Sequence, residues 1–295
     1  MKATDILIVK KMTKIEWDMR RLNLDKVELK KFYEKEGLNS EVIFSSHMRQ
    51  YEYLDELIKL LQGATIIDRD SINKEIVKKF KLIIAFGGDN HFQHVSHYID
   101  EQLMLGINSD PLRSVGALCS VKSPDIRGVV NEILEEKFNV ESWTRTKIVV
   151  DGVEVWPHST SDVFIGEEKR YVMSRHIIHK EGISEEQKGS GLIISTGAGS
   201  TGWYCSASRY LKLDKHNFTA TDKEIWFLLA EPYEWTGHNY KLKTGKIKNK
   251  ETLEVTSLSD SQAVLSIDSL VVVKLREGAK VKIQIGEPLK IIKIK

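Results

Sequence analysis

The sequence predicts an open α/β domain followed by a β-rich domain, on three observations. Over roughly the first 140 residues, short apolar runs alternate with polar helical stretches, the pattern of a parallel sheet with helices on its faces. From about Trp143 the runs become short and β-branched and are separated by turn residues. Two glycine-rich turns, one in each region, follow apolar runs and precede helical stretches. A chain of 295 residues, 41% apolar and 29% charged, can bury a core for one large domain or two ordinary ones. The change of texture divides it into domains 1–140 and 141–295, with no repeat or low-complexity linker.

In order, Asp5 to Lys10 reads as a buried strand, Leu24 to Glu36 as a helix, Glu41 to Phe44 as a strand, Tyr51 to Gln62 as a helix and Lys81 to Phe86 as a strand. Gln93 to Gln102 is expected to be helical and Leu103 to Ile107 extended. Ser123 to Lys137 reads as a helix capped by Ser123, with Pro124 in its first turn. In the second region Thr146 to Val150, Val153 to Trp156, Asp162 to Ile165 and Leu192 to Ser195 read as strands, and a helix follows Gly202. Strand texture returns in Ala263 to Ile267, Leu270 to Leu275, Lys280 to Ile285 and Leu289 to Ile294.

The 44 basic and 42 acidic residues nearly cancel, so the net charge of +2 gives no long-range attraction to nucleic acid or to an anionic membrane. A site for anions must be local. Cys119 and Cys205 lack the paired spacing of a zinc site or a disulfide framework, which fits a reducing compartment. The apolar run Ile6 to Val9 is too brief for a signal segment or a membrane span, and no transit-like stretch precedes it, so a cytoplasmic protein is expected.

Phe86-Gly87-Gly88-Asp89-Asn90-His91 follows an apolar strand and precedes a helix, which places it at the carboxyl edge of a sheet, where open α/β folds bind ligands. Glycines there let the backbone approach a phosphate, and the helix N-terminus presents free N–H groups to it. Asp89 could accept a proton from a hydroxyl, help hold a magnesium ion on a polyphosphate, or simply cap the helix. In the second turn, Ser195 to Trp203, Gly197, Gly199 and Gly202 satisfy G-x-G-x-x-G, with Asp222 about twenty residues on, so a Rossmann dehydrogenase is a rival reading. Against it, this turn lies deep in the chain among β-rich surroundings.

His91, His94 and His97 invite a metal reading, but paired helical ligands usually stand four residues apart, and no metal is expected. Lys169, Arg170, Arg175, His176 and His179 read as a basic lip or a solvated loop. Trp203, Tyr204 and Trp235 suit either base stacking or buried packing.

Taken together, these residues resemble the ATP-dependent NAD kinase family, and most closely its mitochondrial-type branch. Gly87, Gly88 and Asp89 match the family's Gly-Gly-Asp-Gly-Thr turn, whereas Asn90 and His91 depart from it. Leu105-Gly106-Ile107-Asn108-Ser109-Asp110-Pro111, followed by Arg113, Ser114 and Gly116, is the most specific match, similar to the mitochondrial-type Gly-Val-Asn-Thr-Asp-Pro-x-Arg-Ser-x-Gly. Ser161-Asp162 resembles the family's Asn-Glu pair with only the acid kept, and Ser190 with Ser195 to Trp203 resembles its glycine-rich segment. Asp268 fits the last β segment, and the resemblance runs from about residue 80 to residue 295.

The resemblance implies an α/β domain with the Gly-Gly-Asp turn and a β-rich, β-sandwich-like domain that supplies much of a dinucleotide pocket. It implies transfer of the γ-phosphoryl group of ATP, carried with Mg²⁺, to the 2′-hydroxyl of the adenosine ribose of NAD, with Asp89 as the catalytic residue. Gly87, Gly88, Asn90, His91, Asn108, Ser161, Asp162, Ser190, Thr196, Gly197, Ser200 and Thr201 would bind nucleotide, with Asp162 on ribose hydroxyls. His91 could donate to a phosphate oxygen. A homodimer or homotetramer is also implied, with small-molecule nucleotides as partners. The departures at Asn90, His91 and Ser161 keep open a non-catalytic NAD/NADP-binding regulator, and the shared Gly-Gly-Asp turn of lipid kinases keeps open another acceptor.

Overall fold

Ile6, Leu7, Ile8 and Val9 are all fully buried, and a continuous apolar run of this kind suits a strand covered on both faces. The computed structural model describes residues 1–211, 218–234 and 239–294. The chain divides into two units: Met1–Val140 with Ile291–Lys295, and Glu141–Lys290. The first contains β1 (Ile6–Lys10), α1 (Lys14–Leu22), α2 (Lys26–Lys35), α3 (Ser40–Leu60), β2 (Thr65–Asp68), α4 (Lys74–Val77), β3 (Leu82–Gly87), α5 (Asp89–Ser96), β4 (Leu103–Asn108), β5 (Val121–Lys122) and α6 (Ile126–Leu134), with β6 (Asn139–Trp143) at the boundary. The second contains β7 (Thr146–Val150), β8 (Val153–Ser159), β9 (Asp162–Glu167), β10 (Ser174–Lys180), β11 (Ile183–Gly189), β12 (Gly191–Ser195), α7 (Trp203–Tyr210), β13 (Glu224–Ala230), β14 (Thr244–Lys248), β15 (Leu253–Ser257), β16 (Ala263–Ile267), β17 (Val271–Leu275) and β18 (Lys280–Ile285). The last strand is β19 (Leu289–Lys293).

The sheet of the first unit runs β2-β1-β3-β4-β19-β6, with β5 beside β4. β1 pairs in parallel with β2 and β3, and β3 pairs in parallel with β4. Leu54 and Leu57 of α3 and Val129 and Ile133 of α6 bury against Ile6, Ile8, Ile84 and Leu105 on one face. α5 lies close against β4 because residue 106 is glycine: a Cβ there would stand 2.7 Å from the Phe92 ring. The final strand departs from the expected boundary at residue 295. Ile291 and Ile292 are fully buried, so both faces need cover, and from Ile291 onward the chain joins the first unit.

Local β-propensity misleads at Glu41 to Phe44, which lies inside α3 rather than in a strand. The Asn39 side chain accepts from the Val42 N–H and starts the helix, and Ile43, His47, Gln50, Leu54 and Leu57 form its buried stripe. α1 is a helix the sequence reading did not predict. Thr13 and Glu16 form a capping box, with Glu16 returning a 2.7 Å bond to the Thr13 N–H. α5 begins at Asp89, four residues before the predicted start.

The second unit is a sandwich of two six-stranded sheets, β11-β10-β15-β18-β7-β8 and β14-β13-β12-β9-β16-β17. Strand alternation builds two cores at once. Ile225 and Phe227 of β13 face the sandwich interior with Ile148, Ile178 and Val281, while Trp226 and Leu228 face the other way with Tyr204 of α7. Among the described residues, no helix is long and apolar enough to cross a membrane.

Gly106→Ala is expected to destabilise the protein by about 1–3 kcal/mol through overpacking against Phe92. Urea denaturation should show a lower midpoint with an unchanged slope. An unchanged midpoint would contradict the packing of α5 on β4.

Candidate functional site

The register that aligns Lys10 with Phe86, and Gly87 with Asn108, sets the carboxyl ends of β1, β3 and β4 side by side. The first glycine of this turn is sterically required, and the second is closely approached by one side chain. A Cβ at Gly87 would lie 2.6 Å from the His91 ring, and one at Gly88 would lie 2.9 Å from Ser114 Oγ. Asp89 opens α5, and its Oδ1 accepts a 2.8 Å hydrogen bond from the Leu118 N–H. Among the described residues, its other carboxylate oxygen has no hydrogen-bond partner.

Leu118 is held by the loop that follows β4, and Asn108 organises that loop. Asn108 Nδ2 donates to the Ser114 carbonyl at 2.8 Å, and its Oδ1 accepts from the Asp110 N–H at 3.2 Å. Gly116, at φ +61°, passes so close that a Cβ would stand 2.4 Å from Asn108 Nδ2. Asn108 is fully buried and both ends of its amide are occupied by the loop, so it positions the loop from within. Asp110 is buried as well and accepts from the Ser46 hydroxyl and, at 3.2 Å, from Arg49. A cleft of about 650 Å³ opens at this edge, lined by Lys11, Trp17, Arg69, Asp89, Asn90 and Ser114 among others.

The two departures from the resemblance have structural employment. Asn90 is exposed and accepts from Arg69 Nη1 at 3.1 Å. His91 is buried, and its Nε2–H donates to the Val9 carbonyl at 2.8 Å. Burial lowers its pKa to about 3, which leaves the ring neutral with Nδ1 as an acceptor. In this arrangement His91 has no N–H to donate to a phosphate oxygen. His94 Nε2 donates to the Arg69 carbonyl at 3.3 Å, so His91 and His94 serve separate backbone carbonyls. Among the described residues, no cluster of three or more His, Cys, Asp or Glu side chains is placed to hold a metal ion.

The second glycine turn lies in the sandwich unit, where β12 pairs antiparallel with both β9 and β13. The Rossmann fingerprint requires a parallel βαβ unit, so the rival reading fails on topology. These glycines answer to packing instead. A Cβ at Gly197 would stand 1.8 Å from the Thr219 carbonyl oxygen, and one at Gly199 would stand 2.7 Å from Asp162 Oδ1. Thr196 is buried, its N–H donating to the Ser161 carbonyl at 2.9 Å and its hydroxyl to the Thr160 carbonyl at 2.6 Å. Ser200 donates to the Gly197 carbonyl at 2.7 Å, and Thr201 is exposed.

Asp268 is the anchor of this cluster, a role the sequence did not reveal. It accepts from the Ser159 hydroxyl at 2.6 Å and from the N–H groups of Thr160, Ser161 and Asp162 at 3.0, 2.9 and 3.1 Å. Asp162 is thereby fixed at the start of β9, with its Oδ2 accepting from the Ser161 hydroxyl at 3.2 Å. Its Oδ1 is buried without a donor, because the Ser195 hydroxyl turns to the Thr196 carbonyl. Burial pushes the Asp162 carboxyl up to about 7. The Asp268 carboxylate adds to that shift, and the Ser161 hydroxyl opposes it.

Asp162, Ser161, Thr196, Gly197, Ser200 and Thr201 thus gather at one end of β9 and β12, but Ser190 does not join them. It precedes β12 at the opposite end, and a five-residue strand spans about 17 Å. Its hydroxyl donates to Glu231, which also takes Arg170 at 3.2 Å. Ser174 to Lys180 is β10 rather than a basic loop, and His176 is buried against Gln187. Trp203 packs on Phe164 with ring centroids 5.2 Å apart, Tyr204 is buried beneath α7, and Trp235 lies outside the described residues.

Two solved structures resemble nearly the whole chain. An NAD kinase from Archaeoglobus fulgidus in complex with ATP has a TM-score of 0.65 and 16% identity, over 98% of this chain and 93% of that one. Yeast NADH kinase complexed with NADH has a TM-score of 0.72 and 12% identity, over 99% and 84%. The fold is that of the NAD kinases. Sequence similarity points the same way. The NAD kinase of Thermococcus kodakarensis is 26% identical over 129 residues, 43% of this chain and 45% of that protein. The mitochondrial NAD kinase 2 of Rattus norvegicus is 23% identical over 255 residues, 69% of this chain and 60% of that protein. The chain therefore aligns with about half the length of these NAD kinases, and no protein-family model matches it.

In the folded chain Asp162 keeps its proton up to about pH 7, whereas an unfolded aspartate loses it near 4. This protonation contributes stability that is fully present below about pH 4 and lost as the pH rises through about 7. Asp162→Asn should flatten the fall in melting temperature between about pH 4 and about pH 7. An unchanged slope would refute the burial of this carboxyl.

Proposed function

We propose that the protein is an NAD kinase that transfers the γ-phosphoryl group of ATP to the 2′-hydroxyl of the adenosine ribose of NAD, giving NADP. The observation that carries the reading is the Asp89 carboxylate, with one oxygen fixed by the Leu118 N–H and the other without a partner among the described residues, in a nucleotide-sized cleft. The free oxygen is placed to accept the proton of an acceptor hydroxyl, and phosphoryl transfer asks little further covalent chemistry of a protein. Fold and sequence similarity to NAD kinases support the choice of acceptor.

The residues also suit a magnesium ion carried by ATP. Mg²⁺ usually keeps several waters and binds substrate phosphates, so an ion carried by ATP need take no direct bond from Asp89, whose one open oxygen is left for the acceptor hydroxyl. The ion would neutralise charge on the phosphates; orientation of the acceptor hydroxyl and uptake of its proton fall to Asp89. In the sandwich unit, Asp162, held by the Asp268 anchor, would bind ribose hydroxyls of the dinucleotide, beside the exposed Thr201. A homodimer or homotetramer belongs to the same reading. The engagement of Asn90 and His91 in protein contacts favours, as a second reading, an NAD/NADP-binding regulator without turnover.

Incubation with ATP, Mg²⁺ and NAD should yield NADP, detected by an NADP-specific dehydrogenase cycling assay. Asp89→Asn should lower kcat by about 10²- to 10⁴-fold with NAD binding retained. NAD binding without NADP formation would establish the regulator instead.

A further inference from the structure

Two lysines line the Asp89 cleft, and one of them, Lys14, is neutralised by Asp18 at 2.6 Å; Lys10, at the end of β1, pairs with Asp68 at 2.5 Å and Glu16 at 3.6 Å. Lys11 is different. Its backbone N–H is spent on the Phe86 carbonyl at 3.0 Å, but among the described residues its half-buried ammonium makes no ion pair or hydrogen bond. Burial lowers its pKa, with Asp110 and Cys119 opposing from a distance. Lys11 lines both the cleft and a smaller cavity of about 180 Å³, to which Lys14, His47, Asp110 and Arg113 also contribute.

Arg69 is the second such cation. Two residues one turn apart on α5 clamp it: Asn90 accepts from its guanidinium at 3.1 Å, and His94 donates to its carbonyl at 3.3 Å. Among the described residues the guanidinium has no carboxylate within ion-pair distance, because the adjacent Asp70 is paired with Arg20 at 2.9 Å. A partly buried cation without a counter-ion is costly unless a ligand supplies the charge. Two of them line one cleft with Asp89 and the free N–H groups at the start of α5.

We propose that Lys11 and Arg69 bind the phosphate chain of the phosphoryl donor, and that Asn90 positions Arg69 for this task. The inference rests on the kinase reading for its donor. It assigns a purpose to Asn90, which stands where the resembled family has glycine. The ligand chemistry is a linear polyphosphate anion, which a nucleoside triphosphate or an inorganic polyphosphate could each provide.

The test uses the full chain with MgATP and with inorganic tripolyphosphate. Lys11→Met and Arg69→Met should each raise the KM for MgATP by about ten- to a hundred-fold, with the KM for NAD unchanged. In calorimetry each should weaken tripolyphosphate binding by a similar factor. Lys11→Arg, which keeps the charge, should restore most of the affinity, and Asn90→Gly should raise the KM for MgATP less than Arg69→Met does. Weaker binding of MgATP alone, with tripolyphosphate unaffected, would overturn the assignment to the phosphate chain. Wild-type affinity in both methionine variants, or no tripolyphosphate binding by the wild type, would also overturn it. The two readings can fail separately: NADP formation with unchanged KM values removes this inference alone, whereas Lys11-dependent tripolyphosphate binding without NADP formation removes the NAD kinase reading alone.

Discussion

Leu118 donates its backbone N–H to Asp89, and much of the first unit serves to hold that 2.8 Å contact. Parallel pairing of β1, β3 and β4 brings the turn and the following loop to one sheet edge. Asn108 ties the loop internally, and Gly116 lets the backbone close over the buried amide. His91 fills the space beneath Gly87 and is fastened to Val9 of β1. A carboxylate fixed through one oxygen keeps the other in a defined direction without losing it to another protein donor.

The sandwich unit applies similar logic to a different carboxylate. Asp268 gathers three successive N–H groups and so dictates the path of Thr160, Ser161 and Asp162. Around Asp162, Gly197 and Gly199 of the second turn are demanded by close packing, and the raised pKa of Asp162 is the electrostatic consequence of that enclosure.

Much of this was legible in the sequence wherever local pattern and tertiary environment agree. The apolar run Ile83 to Phe86 before Gly87-Gly88-Asp89 placed the first turn at a sheet edge, and α5 follows it. The pattern failed where long-range packing decides. Val42-Ile43-Phe44 has strand character, yet Ile43 belongs to the buried stripe of a 21-residue helix. β10 reads as a charged loop because its alternation mixes His176 and Lys180 with Ile178, all buried. Asp268 and Lys11 were missed as working residues because their roles depend on partners or cavities that no spacing reveals. Lys11, directly after β1 with its four fully buried apolar residues, did carry a positional hint. Asn90 and His91 read as departures from the family turn that kept a regulator open, and geometry gives each a partner remote in sequence, Arg69 and Val9.

The central claim is that the unbonded oxygen of Asp89 receives the acceptor hydroxyl. It is tested most directly by a crystal structure of the protein with NAD and a non-hydrolysable ATP analogue. The account predicts the 2′-hydroxyl of the adenosine ribose within about 2.6–3.2 Å of the Asp89 oxygen that Leu118 does not hold. A ribose hydroxyl bound elsewhere, with Asp89 engaged only by protein groups, would contradict it.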